Sequence, residues 1–164
     1  MILNTLGSEW HINQAIIMHI ALYKPDIPQN TAAIIRLGAC LNLKIHIIEP
    51  CGFNFQDSRF KRVVMDYINL GSIIRYKDFD DLKKKNKGSR IVLMTTKAKK
   101  SIFNFKFKES DIILLGRESK GAPKFLHEKS IRLKIPISKK ARSLNVAVAA
   151  TISSVEALRQ IKKI

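Results

Sequence analysis

Apolar residues in this chain gather in short, nearly unbroken runs separated by longer amphipathic stretches. The runs are Ile20 to Tyr23, Lys44 to Ile48, Ser72 to Tyr76, Arg90 to Met94, Asp111 to Leu115 and Ile131 to Ile135. Helical patterns fall between them at Asn30 to Leu41, Ser58 to Tyr67, Asp78 to Lys87 and Asn145 to Lys163, with a less regular stretch at Ser101 to Lys108. Continuous Ile, Leu and Val runs suit strands covered on both faces, and βαβα order predicts an α/β fold with a mostly parallel sheet flanked by helices. Residues 18 to 164 read as one domain. Met1 to Ile17, which contain Trp10, read as an N-terminal extension, either a genuine arm or sequence upstream of the true start.

Two helices carry further information. In the first, Ile34, Leu37 and Leu41 form a stripe, Arg36 points roughly opposite to it, and Asn30 is placed to cap the N-terminus. In the last, Asn145 is the predicted cap, and Val148, Ile152, Val155 and Leu158 or Arg159 fall near one stripe. Ala147, Ala149 and Ala150 permit close packing, so this face serves either the core or a subunit interface.

Charge narrows the class of partner. Thirty Lys and Arg against 13 Asp and Glu give a net charge of +17, which favours a polyanion, nucleic acid first. Because 21 of the 30 are Lys, compositional bias is the competing explanation. Lys83 to Lys87 reads as a solvated helix end. Cys40 and Cys51 form no C-x-x-C pair, and His11, His19, His46 and His127 stand singly, so no zinc site is predicted. No apolar run approaches the roughly 20 residues of a membrane span, and no signal peptide is evident, so a cytoplasmic location is expected.

Three segments carry candidate chemistry, each following a strand, where the carboxyl ends of a parallel sheet form ligand crevices. The first is Tyr23 to Thr31 leading into Arg36; Pro25 and Pro28 stiffen it. The second is Leu114-Leu115-Gly116-Arg117-Glu118-Ser119-Lys120-Gly121-Ala122-Pro123. There Gly116 removes side-chain bulk at the strand end, Gly121 suits positive φ, and Pro123 suits the first turn of a helix. Ala122-Pro123 replaces the Lys and Ser/Thr of a P-loop, which excludes a nucleotide triphosphatase of that type. The third joins Ile135-Pro136-Ile137 to Ala141-Arg142-Ser143-Leu144-Asn145 and offers a hydroxyl, an amide and backbone N–H groups at the start of the last helix. A dinucleotide-binding fold is excluded by the lack of G-x-G-x-x-G after the first strand.

In this order the three segments resemble the motifs of the SPOUT RNA 2'-O-methyltransferases, closest to the minimal TrmL (YibK-like) type. Those act on the wobble nucleotide of tRNA. The likeness runs from Met18 to about Gln160 and includes His46 to Phe53 and Leu93 to Lys97. It implies a C-terminal deep trefoil knot, an obligate homodimer, S-adenosylmethionine as methyl donor, tRNA as partner and no metal. By the same likeness Met94, Gly116, Ile135, Ser143 and Leu144 line the donor site. Asn30, Arg36, Glu118 and Asn145 face the reacting ribose and methyl group. The family is often described with its arginine activating the hydroxyl, but a guanidinium is a poor proton acceptor, which favours Arg36 as a stabiliser of developing alkoxide. The chain departs from the pattern at Arg117, where Pro is common, at Ala32 for Gly, at Ala147 for a small polar residue, and at Val155 for Tyr. Two other readings stay open: a SPOUT enzyme acting on a different RNA nucleotide, and a knotted RNA-binding protein without catalysis.

Overall fold

The structure is a computed structural model that describes residues 18–68 and 73–164. The extension at 1–17 and the first residue of the predicted third strand, Ser72, lie outside the described residues. Among the described residues six strands build one sheet: β1 (His19–Tyr23), β2 (Lys44–Ile48), β3 (Ile73–Tyr76), β4 (Ile91–Met94), β5 (Ile112–Leu115) and β6 (Ile131–Leu133). They lie in the order β3-β2-β1-β5-β4-β6, and every pairing is parallel. The helices are α1 (Pro28–Leu41), α2 (Ser58–Ile68), α3 (Phe79–Lys85), α4 (Lys124–Lys129) and α5 (Val146–Gln160), with a 3-10 turn at Ile102–Asn104.

The apolar runs are continuous because both faces of the sheet are covered. Ile20, Leu22, Ile45, Ile47, Val92, Met94, Ile113 and Leu115 pack on one side, with residues of α1, α2 and α5. Their neighbours Ala21, Tyr23, Ile48, Ile91, Leu93, Ile112 and Leu114 pack on the other, with Phe79 and Leu82 of α3 and Leu126 of α4. Period-two alternation therefore sorts the four central strands between two cores rather than between core and water, while the edge strands β3 and β6 expose Arg75 and Arg132. Gly38 lets α1 approach β2, since a Cβ there would meet Ile45 Cδ1 at 2.7 Å. Asn42 ends α1 in the left-handed conformation, a role its short polar side chain tolerates.

Several predicted boundaries shift for physical reasons. Helix α1 begins at Pro28, with Ile27 at the cap position and no side-chain cap, so Asn30 lies inside the first turn instead of capping it. Strand β6 ends at Leu133, because Lys134 bonds across to Lys100 O at 2.9 Å and to Ile102 N at 3.0 Å in the β4–β5 connection. Helix α5 ends at Gln160, where Lys162 turns to positive φ. Helix α4 is only six residues and carried no periodic signal beyond Pro123, which stands at its cap position.

The stripe on α5 also differs from a core face. Val148 is 45% and Val155 41% exposed, while Ala150, Ser153, Ser154, Ala157 and Leu158 are buried. Small residues let α5 lie close against α1, β5 and the 3-10 turn, and Ser153 satisfies its hydroxyl on Ala149 O at 2.7 Å. Among the described residues no helix is long and apolar enough to cross a membrane.

Candidate active site

Strand order reverses between β1 and β5: the chain proceeds from β1 outward through β2 and β3, then returns on the far side of β5. Loops leaving two such neighbouring strands diverge and leave a crevice at their carboxyl ends. A cavity of about 450 Å³ sits there, within the range of small-molecule sites. Asn30, Met94, Gly116, Glu118, Ile135, Ser143, Leu144 and Asn145 all line it. The three segments singled out in the sequence thus converge on one cavity.

Gly116 is fixed by space. A Cβ on it would lie 2.6 Å from Ala122 N and 2.7 Å from Gly121 C, both backbone atoms that cannot swing aside. The loop folds back on itself through Gly121 N to Arg117 O at 2.8 Å and Arg117 N to Gly121 O at 3.2 Å, and Gly121 takes φ 64°. Bare backbone is consequently presented to the cavity beside the apolar side chains of Met94, Leu115, Ile135 and Leu144.

A chain of hydrogen bonds ties the three segments together. The Asp26 amide donates to Glu118 Oε2 at 2.8 Å, and Asn30 Nδ2 donates to Glu118 Oε1 at 3.2 Å. Asn145 Nδ2 donates to Asn30 Oδ1 at 2.9 Å. Asn145 Oδ1 meanwhile accepts from Ala147 N at 2.8 Å and Val148 N at 3.3 Å, capping α5 as the sequence predicted. One helix N-terminus and two loops are therefore held in register by two amides and one carboxylate.

Arg36 is the one predicted site residue that does not line this cavity. It is exposed on α1 six residues beyond Asn30, roughly 9 Å along the axis at 1.5 Å per residue and on a different face. There it lines a neighbouring cavity of about 560 Å³ with Pro28, Gln29, Phe53, Asn54 and Asp57. The two cavities share the first turn of α1, which contributes Asn30 to one and Pro28 and Gln29 to the other.

Sequence reasoning missed the pairing of Asp26 with Arg117. Arg117 Nε approaches Asp26 Oδ1 at 3.1 Å, Nη2 contacts the same oxygen, and Ser119 N donates to Oδ2 at 3.2 Å. These donors hold the Asp26 carboxyl far below the usual carboxylate range, the Arg117 hydrogen bond foremost. The available signal was opposite charge in two of the three motif loops. Thr95, Thr96 and Ile137 also line the cavity, from segments already noted in the sequence; Ala149 was noted only as a close-packing residue of the last helix, and Val146 carried no distinguishing mark. Burial pushes the Cys51 thiol up to about 11, which makes it a protonated packing group.

Fold and cavity together define an α/β ligand-binding domain with its pocket at the switch point of a parallel sheet. The profile of the SpoU rRNA Methylase family matches residues 17–155, and the chain belongs to that family. It is 44% identical over 144 residues to the tRNA (cytidine(34)-2'-O)-methyltransferase of Ancylobacter novellus, covering 86% of this chain and 91% of that one. To the protein of the same name from Escherichia coli K12 it is 31% identical, over 88% of this chain and 94% of the other. A solved structure described as giving structural insights into the 2-OH methylation of C/U34 on tRNA superposes with TM-score 0.85 at 32% identity, covering 90% of this chain and 97% of that one. The AviRb methyltransferase of Streptomyces viridochromogenes, solved with AdoMet, shares the fold at TM-score 0.79 and 21% identity.

Proposed function

We propose that this chain transfers a methyl group from S-adenosylmethionine to the ribose 2'-hydroxyl of nucleotide 34, the wobble nucleotide, of tRNA. The observation that carries this is the convergence of the three motif loops on one cavity, with the Glu118–Asn30–Asn145 chain at its edge. Relatives of nearly equal length that bear this activity in their names support the substrate. The cavity suits the donor: Met94, Ile135 and Leu144 offer apolar walls for a nucleoside, Gly116 a backbone cradle that a Cβ would fill, and Ser143 a hydroxyl.

The donor supplies an electrophilic methyl group on a good leaving group. The protein's part is to align the acceptor hydroxyl and to stabilise charge as its proton departs. In this reading Asn30, Glu118 and Asn145 fix the geometry at the reacting end. Arg36 reaches the acceptor from the neighbouring cavity and stabilises the developing alkoxide, since a guanidinium stays protonated and cannot serve as base.

The same reading makes residues 18–164 a single domain with a deep trefoil knot. It is supported by the chain path: Lys134 pairs with Lys100 and Ile102 in the β4–β5 connection, α5 then lies against the 3-10 turn, and Phe107 N donates to Gln160 Oε1 at 3.0 Å. It also makes the protein a homodimer, with the exposed Val148 and Val155 of α5 at the interface, and places it in the cytoplasm with its tRNA. Mapping ribose methylation on total tRNA from cells with and without the gene tests the function. The modification should vanish at nucleotide 34; its persistence there, or its loss elsewhere, overturns the assignment.

A further inference from the structure

We infer that Asp26 is a positioning residue that sets the selectivity of the donor pocket for a cationic occupant by pinning and neutralising Arg117 at the pocket edge. The inference rests on the donor assignment above and concerns this chain's own pair, since Arg117 stands where the family pattern has proline.

The geometry is reciprocal. Asp26 does not line the cavity, but Arg117 and Glu118, which it holds, do. Its carboxylate receives Arg117 through Nε at 3.1 and 3.3 Å and through Nη2, and Ser119 through the backbone amide at 3.2 Å and the hydroxyl at 2.5 Å. Its own amide returns a bond to Glu118 Oε2 at 2.8 Å. Gly52 backs the arrangement, because a Cβ there would lie 2.9 Å from Asp26 Cα and 3.0 Å from Oδ1. Two loops that begin on adjacent strands are thus clasped from both sides.

Charge gives the clasp a role beyond shape. Among the described lining residues Arg117 and Glu118 are the charged ones, one of each sign. Asp26 behind Arg117 tips the local sum to one negative charge, in a chain whose net charge is +17. A sulfonium donor is favoured by that excess, whereas the thioether product lacks the sulfonium charge and is not. Without the Asp26 charge, Arg117 becomes an uncompensated cation beside a cationic ligand, in a partly enclosed site where screening is weaker than in water.

The test is calorimetric binding of S-adenosylmethionine and S-adenosylhomocysteine to the full chain and three variants. Asp26→Asn keeps the shape and one of the two acceptor oxygens but removes the charge; it should weaken S-adenosylmethionine about tenfold relative to S-adenosylhomocysteine. Asp26→Asn/Arg117→Gln, which also removes the cation, should restore the wild-type ratio. Arg117→Gln alone leaves Asp26 charged and should raise the ratio, which keeps the inference testable if Asp26→Asn fails to fold. Parallel losses for both ligands in Asp26→Asn, with no rescue in the double variant, would reduce the clasp to a structural one and overturn the inference. Wild type that binds neither ligand would overturn the donor assignment itself, and the inference with it.

Discussion

Asn145 and Asn30, 115 residues apart in sequence, meet side chain to side chain at 2.9 Å. The contact uses the amide half of Asn145, while the carbonyl half caps α5. One residue thereby closes a helix terminus and reaches across the cavity, and the two jobs are separable. Asn145→Ala loses both: it should cost about 1 kcal/mol of stability, the usual worth of a cap, and lower methyl transfer. Asn145→Asp keeps an oxygen for the cap but has no amide to donate to Asn30, so thermal stability should stay near wild type while transfer falls at least about tenfold. Thermal melts paired with single-turnover transfer assays check this; equal activity in Asp and wild type would remove the Asn30 contact from the mechanism.

Gly116 should tolerate no side chain. The clash at 2.6 Å is with backbone of the same tight loop, so Gly116→Ala must open the turn that faces the donor. Donor affinity should fall at least about tenfold, with the global fold retained because the strain is confined to one surface loop. Calorimetry with S-adenosylhomocysteine, alongside circular dichroism, measures both; wild-type affinity would show that the loop relaxes without touching the site.

Arg36→Ala should reduce transfer roughly a hundredfold while donor affinity changes little, the signature of one lost electrostatic partner of the transition state. Its place in the neighbouring cavity, and not among the donor-lining residues, is what predicts the intact donor affinity. Arg36→Lys keeps charge without the planar fork, and substantial activity in it would mean that charge matters more than geometry. Wild-type turnover in Arg36→Ala would remove Arg36 from the reaction.

His46 lies wholly buried in the sheet, its ring between Tyr76 Oη at 2.7 Å and His19 Nδ1 at 2.8 Å. Burial, then the charges of His19 and Lys44, push its pKa down to about 3, against about 6.5 when unfolded. A depressed folded-state value means that the unfolded chain binds the proton first. The neutral ring's stability is full above pH 6.5 and is lost as pH falls toward 3, by up to about 1.4 kcal/mol per unit. His19, also lowered by burial, acts in the same direction. Urea unfolding of wild type and His46→Phe from pH 7 to pH 4 should give a shallower acid slope for the variant; parallel slopes would contradict it.

Sequence pattern located the strands well because the central ones are buried, mostly Ile, Leu and Val runs, and the edge strands β3 and β6 keep apolar residues around an exposed Arg75 or Arg132. It left the α5 stripe open between core and subunit interface because it weighed large apolar residues, while the buried face is built from Ala150, Ser153, Ser154 and Ala157, packed close against α1. The residue type of Asn30 favours a cap, yet Pro28 starts the helix earlier and turns Asn30 toward Glu118. Motif order was enough to gather eight of the cavity's lining residues. Side-chain pairing between loops was not legible, since no local rule links Asp26 to Arg117 across 91 positions.

Transfer to one ribose hydroxyl of tRNA is tested by removing that hydroxyl. Purified protein is incubated with labelled S-adenosylmethionine and two otherwise identical tRNA molecules, one with ribose and one with 2'-deoxyribose at nucleotide 34. Label is expected on the first at that position and none on the second. Equal labelling of both, or labelling of neither by protein that binds the donor, would contradict it.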